Sequence, residues 1–130
     1  MITQEDKDQL YAISVTLDRA ARLIHRFNAK WWVDLQTEKP IERNVGEMLM
    51  LIVTEIAEGM EGHRKGLRDD KLPHHPMLTV ELADAIIRIL DLAGGTHLAL
   101  GQAFYDKTIY NLSREDHTLE ARRAPGGKSI

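Results

Sequence analysis

The sequence predicts an all-α protein, a four-helix bundle completed by oligomerisation, and three observations carry that expectation. Apolar residues recur at alternating steps of three and four along most of the chain, the period of an amphipathic helix. The periodic stretches are separated by turn residues: Pro40, then Gly66 with Pro73 and Pro76, then Gly94-Gly95. No stretch alternates apolar and polar residues around a hairpin turn, so strands are not expected.

The first helix is predicted from Gln4 to about Trp32, with Leu10, Ile13, Leu17, Ala20, Ile24, Phe27 and Trp31 on one stripe. The segment Asp34 to Arg43 breaks the pattern. Asn44-Val45-Gly46-Glu47 then reads as a capping box, which starts a second helix running to about Gly62. Its inward residues are expected to be Val45, Leu49, Ile52 and Ile56. Gly66 to Pro76 reads as an ordered loop. A third helix follows over about Met77 to Ala93, with Leu78, Leu82, Ala85, Ile86 and Ile89 apolar, and Gly94-Gly95 is expected to end it. A fourth covers about Leu100 to Ser113. Ile87 and Leu90 lie well away from Leu82 and Ile86, so apolar residues occur on more than one face of the third helix. Another copy of the chain is expected to cover some of that surface, giving a homodimer or homotetramer.

At 130 residues with 28% charged, the chain has the size and composition of one globular domain. The expected organisation is a helical domain over 1–114 and a polar, mobile tail over 115–130. Lys plus Arg is 17 against 20 for Asp plus Glu, a net charge of -3. That balance argues against stable binding to duplex nucleic acid. Cysteine is absent, which excludes disulfides and thiolate zinc sites. No apolar run reaches about 18 residues and the N-terminus is polar, so a cytoplasmic protein without a membrane segment is expected.

The chemistry concentrates in two acidic pairs. Glu55 and Glu58 share a face of the second helix, and Glu81 and Asp84 repeat that spacing on the third. At about 100° per residue, both pairs fall at the margin of an apolar stripe rather than opposite it. One such pair alone is ordinarily a solvated face. Two at the edge of the core, on successive helices, need neutralisation, because desolvation and mutual repulsion disfavour unpaired carboxylates there. Oxygen ligands without thiolate or imidazole suit Mg²⁺ or Mn²⁺. Arg88, on the stripe of Glu81 and Asp84, offers an internal alternative. Di-iron bundles need Glu three residues before His. The residues three before the histidines are Arg22, Met60, Lys71, Leu72, Gly94 and Arg114, so that chemistry is excluded.

Glu55-Ile56-Ala57-Glu58 followed by Glu81-Leu82-Ala83-Asp84 resembles the ExxE…ExxD signature of MazG-like all-α nucleoside triphosphate pyrophosphohydrolases. Lys107, Asn111 and Arg114 are similar to the Lys…Asn…Arg run on that family's last helix. The resemblance spans roughly Phe27 to Arg114, with a weaker continuation in Gly126-Gly127-Lys128. It implies the all-α NTP pyrophosphatase type of bundle and Mg²⁺-dependent cleavage of an NTP or dNTP between the α and β phosphates, giving NMP and pyrophosphate. Glu55, Glu58, Glu81 and Asp84 take the metal-ligand positions. Lys107, Asn111 and Arg114 take phosphate-binding ones, and Lys65 in the nearby loop region is a further candidate. Many relatives carry another Glu directly before the first ligand, assigned to activating water. Here that position is Thr54, which leaves the general base unassigned, with Glu61 and Glu47 as fallbacks.

For the base, the candidates are Trp31, Trp32 and Asn44. Trp31 continues the apolar stripe and is expected in the core, whereas Trp32 lies off it. Asn44 is equally explained as a helix cap. His74-His75 is read as a polar loop whose side chains diverge. Three functional readings follow: a pyrophosphohydrolase, a nucleotide- or partner-binding helical oligomer that has lost its base at Thr54, and a structural helical module.

Overall fold

The computed structural model describes residues 2–129. Five α-helices are present among them: α1 (Gln4–Phe27), α2 (Val45–Lys65), α3 (Met77–Gly95), α4 (Leu100–Ser113) and α5 (Leu119–Arg123). Single 3₁₀ turns occupy Ala29–Trp31 and Glu115–His117. Extended pairing among the described residues is confined to isolated bridges, Val33 with Pro40 and Arg68 with Pro76. The protein is therefore all-α.

The chain divides into two compact units, one of Arg19–Leu98 and one combining the chain up to Asp18 with the chain from Ala99 onward. The boundary at 114 read from composition does not coincide with this division.

In the unit Arg19–Leu98, α2 packs along α3. Gly62 lies against Met77, Gly59 against Leu78 and Glu81, and Glu55 against Arg88, an order that makes the two helices antiparallel. Glycine permits this approach: a Cβ on Gly62 would stand 2.8 Å from the Met77 side chain. The start of α2 follows the predicted capping box, with Asn44 Oδ1 accepting from the Glu47 N–H at 3.0 Å. Its end is an αL Gly66, φ 61°, donating its N–H back to the last turn. The loop before α3 is ordered by Asp69, a buried carboxylate that accepts from the N–H groups of Lys71 and Leu72 at 3.0 and 2.7 Å.

The chain departs from its sequence reading at four places in this unit. α1 ends at Phe27, and the following turn tightens to 3₁₀ geometry, with Trp31 donating to Asn28 O and Trp32 to Ala29 O. Gly94-Gly95 does not end α3. The helix runs through both residues and is closed by Thr96, whose N–H and hydroxyl both bond Leu92 O. The two glycines instead leave room for neighbours, Gly94 for the Ala21 backbone and Gly95 for the Trp32 ring. On α2, Val45, Leu49 and Ile56 are exposed, while Met48, Glu55, Gly59 and Gly62 are buried. The buried face brings two glycines and a carboxylate inward beside Met48 and leaves the branched apolar residues out. The rings of His74 and His75 do not diverge but lie 4.3 Å apart.

In the other unit, the first half of α1 opens with a box in which Thr3 N–H donates to Asp6 and the Asp6 N–H donates to Thr3 Oγ1. Asp18 caps α4 from α1, accepting from the Gly101 N–H at 2.7 Å. Ser14 is buried beside Gly101, and Tyr11 meets Tyr105 edge to face at 6.1 Å. Within 115–130, Thr118 caps α5 by accepting from the Ala121 N–H.

Candidate metal centre

Glu55 in mid-α2 and Glu81 and Asp84 in α3 each bring a carboxylate oxygen within 4.8 Å of the others. Glu55 and Glu81 are each only 8% exposed. Their meeting follows from the antiparallel α2–α3 pairing, in which Gly59, one turn after Glu55, packs against Leu78 and Glu81. Glu58 is exposed and stands outside the trio, on the flank of the same site.

The electrostatics are those of crowded acids. The Glu81 carboxyl is pushed up from 4.5 to about 7. Burial is the largest cause, followed by a hydrogen bond with Glu55 and then by repulsion from Glu58, Glu55 and Asp84. One guanidinium offsets this charge: Arg88 Nε donates to Glu55 Oε1 at 2.5 Å. Three carboxylates supply only oxygen donors, in a pocket where one of them retains its proton near neutrality. That donor set fits a hard divalent cation, Mg²⁺ or Mn²⁺, held by Glu55, Glu81 and Asp84.

Two clefts adjoin the trio, and Glu55 and Asp84 line both. One, of about 650 Å³, runs along the α2–α3 loop past Glu58, Arg68, Asp69 and Lys71. The other, of about 460 Å³, is bounded by Asn28, Trp31, Arg43, Ile87 and Arg88.

The tryptophans exchange the roles expected of them. Trp31 is 61% exposed and lines the second cleft, so it is not a core residue. Trp32 is half-buried and donates its indole N–H to the buried Asp91 carboxylate at 3.0 Å. Asp91 also bonds His25 Nδ1 at 3.0 Å, and the His25 and Trp32 rings meet edge to face. The end of α1 at Phe27 and the 3₁₀ turn that follows take Trp31 off the helical stripe.

Asn44 is occupied as the α2 cap and exposed. Thr54 is exposed and donates its hydroxyl to Leu51 O at 2.7 Å, so it offers no base. Glu61 is ion-paired with Lys65 and, at 3.8 Å, with Arg64, which engages both Glu61 and the phosphate candidate Lys65. Glu47 is exposed in the first turn of α2. Lys107, Asn111 and Arg114 lie on or at the end of α4, in the other unit. There Lys107 and Arg114 sit over the Tyr110 ring, at 4.9 and 5.8 Å from its centroid. Arg114 also grips Asp116 through two bonds of 2.8 and 2.5 Å, and with Lys128 it holds that carboxyl well below its usual range.

Sequence reasoning passed over Asn28 and Arg43, which line the cleft with Trp31. The only signal for Asn28 was its place one turn before Trp31. Comparison with protein-family models, curated proteins and solved structures returns no match to this chain.

Proposed function

We propose that the chain is a Mg²⁺-dependent nucleotide pyrophosphohydrolase that cleaves an NTP or dNTP between the α and β phosphates, giving NMP and pyrophosphate. The carrying observation is the carboxylate trio of buried Glu55 and Glu81 with the more accessible Asp84 on two antiparallel helices, flanked by Glu58, in the order of the MazG-like signature. A bound divalent ion supplies charge neutralisation at phosphate oxygens and acidifies a water. The residues of the chain do the rest. Glu55, Glu81 and Asp84 fix the ion's position, and Glu58 adds negative charge at its edge. Trp31 offers an exposed aromatic face to a base, with the Asn28 amide beside it and Arg43 in the same cleft. Lys107, Asn111 and Arg114, which belong to the other unit, are the phosphate donors that the resemblance implies.

Exposed apolar stripes support assembly as a homodimer or homotetramer: Leu49, Val53, Ile56 and Met60 on α2, and Leu82, Ile86 and Ile89 on α3. No helix among the described residues is long and apolar enough to cross a membrane. One observation favours a second reading, nucleotide binding without turnover. Thr54 is spent on an intrahelical bond, and its position offers no carboxylate to activate water.

The test is product analysis from a (d)NTP panel at saturating Mg²⁺. NMP with pyrophosphate establishes the reaction, whereas nucleotide binding without release selects the second reading. Glu81→Ala is expected to lower turnover by about 10²-fold or more with helix content retained. Undiminished turnover in that variant removes Glu81 from the site.

A further inference from the structure

Resting on the metal-centre reading, we infer that Arg88 is a displaceable internal counter-ion: a divalent cation must release it from Glu55, and the freed guanidinium then serves an anionic ligand in the adjoining cleft. Four observations carry this. First, Glu55 belongs to two arrangements at once, the carboxylate trio within 4.8 Å and the 2.5 Å pair with Arg88. A guanidinium and a dication drawn to the same carboxylate in a largely buried site repel each other strongly, so the two occupants compete.

Second, Arg88 is built to move. Its side chain is 42% exposed against 10% for Glu55, and among the described residues its hydrogen bonding is the single Nε contact to Glu55. Third, the carboxylate one turn further along α3 offers it no second home, because Asp91 is already engaged by His25 and Trp32. Fourth, Arg88 already borders the 460 Å³ cleft with Arg43, Asn28 and Trp31, so release from Glu55 leaves a second cation beside Arg43 at its wall. Planar guanidinium groups suit the paired oxygens of phosphate. Cation uptake and anion binding are thereby coupled through one side chain, at the point where the carboxylate trio and the cleft share Glu55.

The experiment is calorimetric titration of the full chain with Mn²⁺ alone, comparing wild type with Arg88→Gln and Arg88→Lys. Arg88→Gln is expected to bind Mn²⁺ more tightly than wild type by about 5–150-fold, the usual span of a coupling between sites. Arg88→Lys, which keeps the charge, is expected to remain close to wild type and so separates charge removal from misfolding. In the second arm, inorganic pyrophosphate is titrated at saturating Mn²⁺, and Arg88→Gln is expected to bind it more weakly than wild type. Equal or weaker Mn²⁺ affinity in Arg88→Gln overturns the counter-ion role while leaving the metal centre intact. Equal pyrophosphate affinity overturns the ligand role. Absence of Mn²⁺ uptake by both proteins overturns the metal centre and this inference together.

Discussion

The indole N–H of Trp32 and the imidazole of His25 converge on one buried carboxylate, Asp91. Removing either partner would leave an under-satisfied anion at 5% exposure, which is why Trp32 rather than Trp31 turns inward. Crowding at Glu81 has a pH signature of its own. Its folded value of about 7 lies above the ordinary 4.5, so between these values the native protein retains a proton that the unfolded chain has released. Stability of the metal-free protein should therefore fall as pH rises through this window and level off above it. Melting temperatures measured in chelator across the window check this, and Glu81→Gln should flatten the slope. A wild-type profile that stays flat there would show that Glu81 titrates as an ordinary carboxylate. The acidic pairs and their margin position were legible, because helical period places residues three apart on one face. Which of the four carboxylates come into contact was not, because that depends on how closely α2 and α3 approach.

Helix starts were more legible than helix ends. Asn44 could be read as the α2 cap because the cap bond joins residues three apart, a local interaction. The close of α3 misled, since Gly94-Gly95 resembles a stop while the tertiary structure uses both glycines for clearance. Gly94→Ala tests the clearance. A helix-interior glycine with open space beside it would tolerate alanine or gain about 1 kcal/mol from it. Here the added Cβ would meet the Ala21 carbonyl and stand 2.6 Å from His25 Cβ, so a loss of about 1–3 kcal/mol is expected by denaturant unfolding. An unchanged or raised midpoint would show that Gly94 is not needed for this clearance.

For the whole molecule, the large apolar residues read as core-facing on α2 are mostly exposed. Leu49 and Ile56 are half-exposed and Ile86 is 54% exposed, against 2% for the small Ala85 beside it. Helix packing buries glycine, alanine and carboxylate together with Met48, Leu90 and Leu92 and leaves many other branched residues outside, a surface that self-association would cover. The chain is expected to sediment as a dimer or tetramer, and Ile86→Asp should weaken that association by about one to two orders of magnitude. A wild type that remains monomeric at high concentration would leave these stripes without a second copy. The sequence by itself determined the helical class, the four principal helices, the α2 cap and the two acidic pairs, because period, capping and spacing act within a few residues. Only the tertiary structure decided that Trp32 is the buried tryptophan and that Arg88 takes Glu55. It also decided that glycines of α2 meet Met77, Leu78 and Glu81 of α3 in the helix contact. Those outcomes depend on partners distant in the chain, and pairwise burial and charge compensation exist only once those partners meet.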